Sequence, residues 1–498
     1  TVPTTSTFTI TQSSNASGTV STGGSLSIKP YEPVGPRAQS YGYGWGIAGW
    51  GSGNWGEAAA ATDVTLEPGL WSLDNFGQVL VATVLNGKTF TWNAGASTPL
   101  ETRASTTTSG FATGSNPTAT RVSLISPTTR HLLHFGTETT IGDTTTQDDM
   151  FIRFSDQEDI NTFTPSAINT AGTLRLQDGT KIIGAIKAKE VILVWTDNAL
   201  YTMSFIGAPF TFRLDQVGTN CGLIGQNAVV EIDGSAFWLS SKGFFLYDGT
   251  VKSIPCSVED FVYDNFDTTK GQQVAAGLNN LFTEITWYYP ASGSEYNDKY
   301  VVFNYGESAG VPGGVWYTGT EARTSWIDSN VYPNPFATKY DSTADGTFPV
   351  IVGQDGLGQT TYFEHEVGTD QLNPNGTTTT VTSFIQSFDI DLEQRQRNAQ
   401  GRASGPKISG ELFLAMRRFV PDFKTLAGNA KVTLNVKRYP QQTSSQTALS
   451  PFTITSSTDK KDTRARGRSV SLKIENDSAS ESWRFGTLRL DIQNDGRR

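Results

Sequence analysis

The stretch Val191-Ile-Leu-Val-Trp-Thr-Asp-Asn-Ala-Leu-Tyr-Thr-Met203 contains an apolar run, a polar two-residue turn and a second apolar run. Short runs of β-branched and aromatic residues on either side of a tight turn are typical of a β-hairpin. Both runs are far shorter than the roughly 18 to 20 apolar residues that a membrane helix needs. This stretch therefore predicts two paired antiparallel strands.

The same strand, turn and strand unit recurs along the chain. Anchored at residues 79, 131, 191, 237, 301 and 350, the units are spaced 52, 60, 46, 64 and 49 residues apart. Blades of β-propellers recur at about 40 to 50 residues, whereas stacked β-sandwiches, the alternative, do not predict such a spacing. We therefore expect an all-β fold with a β-propeller of about six blade-like hairpin units. The predicted pairs are 79–85 with 88–92, 131–135 with 150–154, 191–196 with 199–203, 236–239 with 244–247, 300–304 with 315–317, and 349–352 with 361–363.

Three regions follow from the pattern. Residues 1–68 form a Gly-, Thr- and Ser-rich segment, and residues 69–380 form the propeller. After residue 380 the hairpin spacing is lost and cleanly alternating strands begin, so residues 381–498 are predicted to form a basic, β-sandwich-like domain. One packing helix is predicted at residues 259–266, with Ser257 as its cap. The chain begins at Thr1 without an initiator Met, which we interpret as a processed or longer parent chain.

Charge is distributed unevenly. Residues 391–498 contain 20 Lys and Arg against 11 Asp and Glu, whereas residues 1–390 contain 18 against 37. A net charge of −10 argues against sequence-independent clamping of nucleic acid, which needs a dominant basic surface. The opposite signs of the two regions suggest different partners, although an acidic surface also serves solubility.

Two groups of residues are candidates for contacts. The Gly-aromatic segment 41–56 predicts either a contact or gating loop or a glycine-rich strand packed in its own fold. Basic residues in two separate C-terminal segments could dock onto an acidic protein surface or nucleic acid phosphates, with a solvated loop as the alternative. The loop candidates are Tyr41, Tyr43, Trp45, Trp50 and Trp55, and the docking candidates are Arg417, Arg418, Lys460, Lys461, Arg464, Arg466 and Arg468.

Little in the sequence points to chemistry. No P-loop, HExxH, GxSxG or CxxC pattern occurs, and we expect no catalytic, metal or cofactor residues. Two acidic groups could bind a hard cation, but a solvated strand face and a polar turn are the favoured interpretations. Free thiols are favoured over a disulfide, His365 is expected at the surface, and His131 and His134 are not expected to form a pair. The acidic groups are Asp156, Glu158 and Asp159, and Asp389, Asp391 and Glu393; the cysteines are Cys221 and Cys256.

Several motifs in combination resemble the tail nozzle proteins of short-tailed bacteriophages, also called tail tubular or DNA-stabilisation proteins. They are Phe151-Ile-Arg-Phe-Ser-Asp156, Val194-Trp-Thr-Asp-Asn-Ala-Leu-Tyr201, Gly218-Thr-Asn-Cys-Gly-Leu-Ile-Gly225, Phe245-Leu-Tyr-Asp-Gly249, Asp462-Thr-Arg-Ala-Arg-Gly-Arg468 and Trp483-Arg-Phe-Gly486. The resemblance implies a structural β-propeller subunit without catalysis. It further implies a homo-hexameric ring below the portal and the adaptor or head-to-tail connector, with tail fibres or spikes as further partners. Such a ring is a virion component assembled in the bacterial cytoplasm, and it retains double-stranded DNA and conducts it during ejection without sequence-specific binding.

A rival hypothesis is a glycan-binding or glycoside-cleaving β-propeller. It predicts carboxylates and Trp residues that converge on one propeller face. A Ser-x-Asp-x-Gly-x-Thr-Trp box, which marks sialidase-type propellers, does not occur in the sequence.

Overall fold

The computed structural model describes residues 38–40, 66–95, 115–311, 313–329, 331–341, 359–372, 378–392, 394–397, 403–408, 412–439, 447–448 and 451–496. Contacts between Cα atoms divide the chain into two compact units. The first contains Thr1–Ala185 and Ser204–Arg213, and the second contains Ile186–Met203 and Leu214–Arg498.

The first unit contains two antiparallel meanders. Sheet A has three strands and sheet B has four, in sequence order. Apolar side chains of both sheets meet in one core with Phe163 and Ile160, which lie in the loop after residue 154. The strands are β1 (Ala38–Ser40) paired with β2 (Leu66–Pro68); β3 (Trp71–Phe76), β4 (Val79–Val84) and β5 (Thr89–Asn93) of sheet A; and β6 (Thr120–Ile125), β7 (Leu132–Thr137), β8 (Phe151–Phe154) and β9 (Gly172–Arg175) of sheet B, with a 3-10 turn at Thr144–Thr146.

Further meanders, sheets C to F, follow along the chain. Sheet C contains β10 (Ile182–Lys187), β11 (Ile192–Thr196), β12 (Ala199–Gly207) and β13 (Thr211–Thr219). Sheet D contains β14 (Val229–Ile232), β15 (Ser235–Ser240), β16 (Gly243–Tyr247) and β17 (Val251–Ile254). After helix α1 (Glu259–Asn265) and a 3-10 helix (Thr268–Gln273), sheet E contains β18 (Ala275–Asn279), β19 (Glu284–Tyr289), β20 (Lys299–Asn304) and β21 (Val315–Gly319). Sheet F contains β22 (Ser325–Ile327), β23 (Phe336–Asp341) and β24 (Gln359–Glu364).

Six successive antiparallel meanders in the described part of the chain, four of them four-stranded, place this region in the β-propeller class. The hairpins predicted at residues 79, 131, 191, 236 and 300 are confirmed by the observed strand pairing. At the first of these hairpins Asn86 has a φ of 57°, a value that Asn tolerates better than most residues. The last predicted hairpin lies partly outside the described residues, because 342–358 are not described; Thr361–Phe363 belong to β24, which pairs with β23.

Neighbouring sheets of the second unit are held together by tryptophans. The indole Nε1 of Trp238 in sheet D donates to Cys221 O at 2.8 Å. Cys221 precedes sheet D in the chain. Trp287 in sheet E donates to Ala228 O at 3.1 Å, and its ring lies 5.1 Å from that of Phe244 in sheet D. The same kind of indole hydrogen bond recurs twice: Trp316 Nε1 donates to Pro255 O at 3.0 Å, and Trp326 Nε1 donates to Leu278 O at 2.8 Å. Each indole thus combines a large buried apolar area with a hydrogen bond to the preceding segment.

Helix α1 lies where the sequence predicts it, but its predicted cap is wrong. Val258 is the N-cap residue and makes no side-chain capping hydrogen bond. The helix is instead fixed by Tyr263, whose hydroxyl donates to Ser240 O at 2.6 Å and accepts from Gly243 N. Tertiary contact therefore replaces the missing cap.

Two packed sheets form the C-terminal β-sandwich. Sheet G is built around β33 (Ala430–Lys437) and β37 (Ser469–Asn476). In sheet H, β31 (Leu414–Val420) lies between β36 (Lys461–Gly467) and β39 (Arg489–Asn494). Their inward side chains form one core of mainly aliphatic residues, which confirms the sandwich-like fold. The domain limits at residues 68 and 380 stay predictions. The strands are β25 (Asp370–Leu372), β26 (Thr378–Thr380), β27 (Phe384–Gln386), β28 (Ile390–Asp391), β29 (Gln394–Arg397), β30 (Ala403–Ile408), β31 (Leu414–Val420), β32 (Phe423–Ala427), β33 (Ala430–Lys437), β34 (Thr447–Ala448), β35 (Phe452–Ile454), β36 (Lys461–Gly467), β37 (Ser469–Asn476), β38 (Ser482–Phe485) and β39 (Arg489–Asn494).

Candidate functional site

The two basic segments singled out in the sequence become neighbours in sheet H. Strand β31 pairs with β36 so that Ala415 lies opposite Arg466 and Arg418 lies opposite Asp462. Leu414, Met416 and Phe419 of β31 point into the sandwich core, so the alternate residues point outward. Tertiary pairing therefore brings Arg417, Arg418, Arg464 and Arg466 to one outward surface, which we call the arginine face.

The arginine face is partly neutralised by its own chain. Arg418 Nε lies 2.8 Å from Asp462 Oδ1, and this hydrogen bond lowers the pKa of Asp462. Arg466 pairs with Asp495 and lies over the Phe413 ring at 4.5 Å. These guanidinium groups are therefore held in place by local partners.

Two members of the face, Arg417 and Arg464, differ from these. Arg417 lies in a bulge between Met416 and Arg418, and both Arg417 and Arg464 are exposed. Neither forms an ion pair within the part of the chain that the structure describes. They are the members best placed to meet an external acidic group.

The remaining docking candidates lie at the border of this face. Lys460 is exposed just before β36, and Lys461 begins it, with its Nζ 6.0 Å from the Phe452 ring centroid. Arg468 is half-buried and lies over the Phe413 ring at 4.9 Å. Arg489 of β39 also belongs to this region and was not predicted; its Nε lies 3.1 Å from Asp422 Oδ2. The alternating pattern of that strand was its only signal in the sequence.

The other contact candidates, the five aromatic residues of segment 41–56, lie outside the described residues. Their role as a contact or gating loop stays a prediction.

The acidic groups of the sequence analysis are engaged in local contacts. Asp156 Oδ1 accepts from Thr170 N at 2.8 Å and from Gln157 N at 2.9 Å. Asp159 Oδ1 accepts from Asn161 N at 2.8 Å, and Glu158 pairs with Arg130 at 3.1 Å. This arrangement is the polar turn that the sequence analysis favoured.

The second acidic group lies only partly within the described residues. Asp389 Oδ2 lies 2.6 Å from Lys437 Nζ beside a surface depression, Asp391 lies in β28, and Glu393 lies outside the described residues. Across the described residues, no group of three or more His, Cys, Asp or Glu side chains is placed to hold a metal ion.

The three histidines are built into the fold. His131 and His134 are both fully buried and have different partners, Thr129 and Thr170 for the first and Asn116 for the second. Burial lowers the pKa of His131 to about 4 and that of His134 to about 3. The expectation of a surface His365 is wrong: it is half-buried, accepts from Arg323 Nε at 2.8 Å, and its pKa falls to about 4 because of burial.

Both cysteines are free thiols, as the sequence predicts. Burial raises the pKa of the Cys256 thiol to about 12, so it is protonated and unreactive at neutral pH.

A carboxylate pair that sequence reasoning missed lies at the border of sheets E and F. Burial raises the pKa of Glu284, which hydrogen bonds with Tyr317, and burial also raises the pKa of Glu366. The two carboxylates repel each other, and Asn279 Nδ2 donates to Glu366 Oε1 at 3.2 Å. The two glutamates are 82 residues apart in the sequence, so no local motif could have indicated the pair.

No helix in the described residues is long and apolar enough to cross a membrane.

The described geometry defines an all-β protein of the propeller class with a C-terminal sandwich. The chain matches no protein-family model and no curated protein sequence. Among solved structures it is similar to the CNH domain of AfRom2, with 10% identity, a TM-score of 0.33, and coverage of 54% of this chain and 76% of that one. It is also similar to BamB from Moraxella catarrhalis, with 15% identity, a TM-score of 0.29, and coverage of 64% and 89%. A third similar structure is an exo-β-1,3-galactanase from Phanerochaete chrysosporium with galactose, with 8% identity, a TM-score of 0.23, and coverage of 90% and 98%. At these scores the fold assignment rests on the observed sheets rather than on the similarities.

Proposed function

We propose that this protein is a structural subunit of the tail nozzle of a short-tailed bacteriophage. The observation that carries the proposal is the set of motifs, from residue 151 to residue 486, that resembles this family in combination. Their side chains serve structure: Trp195 is fully buried, and Gly222 lies so close to Asp197 O that a Cβ would sit 2.1 Å from it. Residues of this kind maintain a fold, and they suit a protein that acts by shape and assembly.

The proposed subunit works without catalysis. Six copies form a ring below the adaptor, and the ring holds packaged DNA and conducts it during ejection. The excess of 37 acidic over 18 basic residues in the first 390 positions weakens adhesion of DNA phosphates to this region. The protein would then be found in the virion tail after assembly in the bacterial cytoplasm.

In this proposal the arginine face meets the acidic surface of an adaptor or another tail protein. Arg417 and Arg464 supply the contact because they are exposed and form no ion pair within the described residues. Arg418 and Arg466 contribute less, since breaking their pairs with Asp462 and Asp495 opposes any new contact.

The decisive experiment is the mass of the native assembly, measured by native mass spectrometry with and without candidate adaptor rings. A six-fold particle supports the proposal, and a chain that stays monomeric at high concentration and beside its adaptor contradicts it. Arg417→Glu with Arg464→Glu should weaken adaptor binding by about tenfold or more. Lys424→Glu, an exposed charge reversal on β32 outside sheet H, is the matched control and should leave binding unchanged.

A second candidate function is a glycoside-directed propeller, and one observation favours it. Burial raises the pKa of both Glu284 and Glu366, and a carboxyl group with a raised pKa is the type of group that serves as general acid in glycosidases. Release of reducing sugar from polysaccharides, abolished by Glu284→Gln, would support this function against the nozzle. Absence of release by the folded chain across a polysaccharide panel contradicts it.

A further inference from the structure

The hairpin between β12 and β13 is longer than the other hairpins of the described meanders. Ile192 at the start of β11 pairs with Met203, so the residues of β12 after Met203 have no partner in β11. Both β12 and β13 have nine residues, whereas the other described strands of sheets A to F have three to six. The end of this hairpin, Ser204–Arg213, therefore extends past the first strands of its own sheet.

The extended end is apolar and exposed. Phe205 is 41% exposed, Ile206 is 51% exposed and Phe210 is 73% exposed. No Asp, Glu, Lys or Arg occurs between Ser204 and Phe212. A neighbouring loop adds Ile168, which is 98% exposed and lies two residues before Thr170. Phe205, Ile206, Phe210 and Ile168 are called the apolar tip.

Buried side chains and a hydrogen bond hold the apolar tip in place. Phe212 is buried and packs edge-to-face on His131 at 5.1 Å and on Phe154 at 5.0 Å. Thr211, with a left-handed φ of 57°, donates its hydroxyl to Thr170 O at 3.0 Å and so joins the hairpin to the loop that carries Ile168. The exposed side chains thus project from a fixed platform.

The size of the tip argues against a protein partner. Taking a fully exposed Phe or Ile as roughly 200 Å², the four side chains expose about 500 Å². A stable protein interface needs about 800 Å² from each partner, usually with hydrogen-bonding groups at its border. Insertion into the boundary between lipid headgroups and acyl chains needs only apolar area and no matching shape.

Charge selects the kind of lipid surface. The chain carries a net charge of −10, so an anionic membrane repels it, whereas a zwitterionic surface does not. We propose that the apolar tip inserts into the interface of a zwitterionic lipid surface and so anchors the protein to a membrane without crossing it. This inference does not depend on the ring assembly proposed above.

The test is flotation of the full chain with phosphatidylcholine vesicles. The parent chain should float with the vesicles, raising the salt concentration should not release it, and adding phosphatidylglycerol should weaken binding. Ile206→Ser with Phe210→Ser should weaken binding about tenfold or more, because both side chains are exposed and lose apolar area for insertion. Phe388→Ser, at a residue that is 75% exposed in the C-terminal sandwich, is the matched control and should bind as the parent does.

Several results overturn the proposal. They are failure of the parent chain to bind the vesicles, equal binding by the tip variant, and an equal loss in the Phe388→Ser control. A change in native mass of the tip variant, with vesicle binding unchanged, would assign the tip to a protein contact instead. Circular dichroism of each variant verifies that it is folded. A monomeric chain that still floats would contradict the nozzle and leave the tip proposal standing.

Discussion

The blade-like sheets and the C-terminal sandwich both bury antiparallel sheets, but their interiors contain different side chains. Sheets A to E bury polar side chains, among them Arg121, His134 and Asn279. In the described part of the sandwich, Ser471 is the only fully buried polar side chain, and the core consists mainly of Leu, Ile, Val and Ala. The tryptophans of sheets D to F also donate hydrogen bonds to backbone carbonyls of preceding segments.

The difference follows from what each interior must contact. The sandwich packs two sheet faces against each other, and alternating aliphatic side chains are sufficient for that. Successive blades also pack against the connecting segments, whose buried carbonyls need donors. Indole satisfies this need while burying a large ring, so the blade interiors are specified by hydrogen bonds as well as by volume.

The largest expected effect is that of Trp287→Ala. It removes a fully buried ring and the donor to Ala228 O, and should lower the free energy of unfolding by about 3–5 kcal/mol. Hydrogen exchange should accelerate in both sheets D and E, because Trp287 contacts Phe244 of sheet D.

Leu434→Ala in the sandwich is the control for this effect. It should cost about 2–5 kcal/mol and accelerate exchange only within the sandwich. Faster exchange confined to sheet E in Trp287→Ala would show that the indole does not join the two sheets.

The next effect is a loss of folding stability at acidic pH. Burial lowers the pKa of His134 from 6.5 to about 3, so the unfolded chain binds a proton between these values that the folded chain does not. Stability should therefore fall as the pH drops from about 6.5 towards 3, with a loss of about 2–3 kcal/mol by pH 4.5 from this group. Urea unfolding at pH 7 and pH 4.5 measures it.

His134→Gln keeps a donor for Asn116 Oδ1 and does not titrate, so it should reduce the acid sensitivity. His131, whose pKa is also lowered by burial, should account for part of the remaining dependence. An identical loss of stability in His134→Gln would contradict the assignment.

A smaller effect separates the indole hydrogen bond from ring volume. Trp238→Phe keeps an aromatic ring and removes the indole hydrogen bond to Cys221 O, so it should cost about 1–3 kcal/mol beyond the change in volume. Trp195→Phe is the matched comparison, because Trp195 is equally buried and its Nε1 has no hydrogen-bond partner among the described residues. Equal losses in the two variants would show that the hydrogen bond adds nothing.

The smallest expected effect is a loss of stability as the pH rises, opposite in direction to the effect of His134. The pKa of Glu284 is raised in the folded chain, so its protonated form is favoured, and stability falls as pH rises through the folded pKa. Glu284→Gln should raise the melting temperature at pH 7, by less than Trp238→Phe lowers it. The gain should vanish below about pH 4, where the carboxyl is protonated in both states. A gain of the same size at every pH would point to packing instead.

The hairpins were predictable because each is a local pattern. In Val79–Val84, Asn86-Gly87 and Thr89–Asn93, the apolar runs and the turn residues lie within fifteen positions. The partner of β24 was not predictable, because β23 is separated from it by residues 342–358. Ser257 is a capping residue type, yet Val258 is the N-cap residue and the helix is fixed by Tyr263 through a contact with sheet D.

The arginine face was likewise predictable in part. The sequence identified most of the arginines of the arginine face, because charge and residue type are local properties. It could not tell that Arg418 and Arg466 have acidic partners while Arg417 and Arg464 form no ion pair with another described residue, since this follows from the register of β31, β36 and β39.

The sequence alone determined the all-β class, the recurring hairpins and the change to a basic C-terminal region, because hydrophobic period, turn chemistry and charge act over a few residues. Only the tertiary structure decided which tryptophans join which sheets, that the carboxylates of Glu284 and Glu366 repel each other, and that Phe205, Ile206 and Phe210 lie exposed on a buried aromatic platform. These features depend on residues that are distant in the chain and close in space, and burial, pKa and exposure are properties of that proximity.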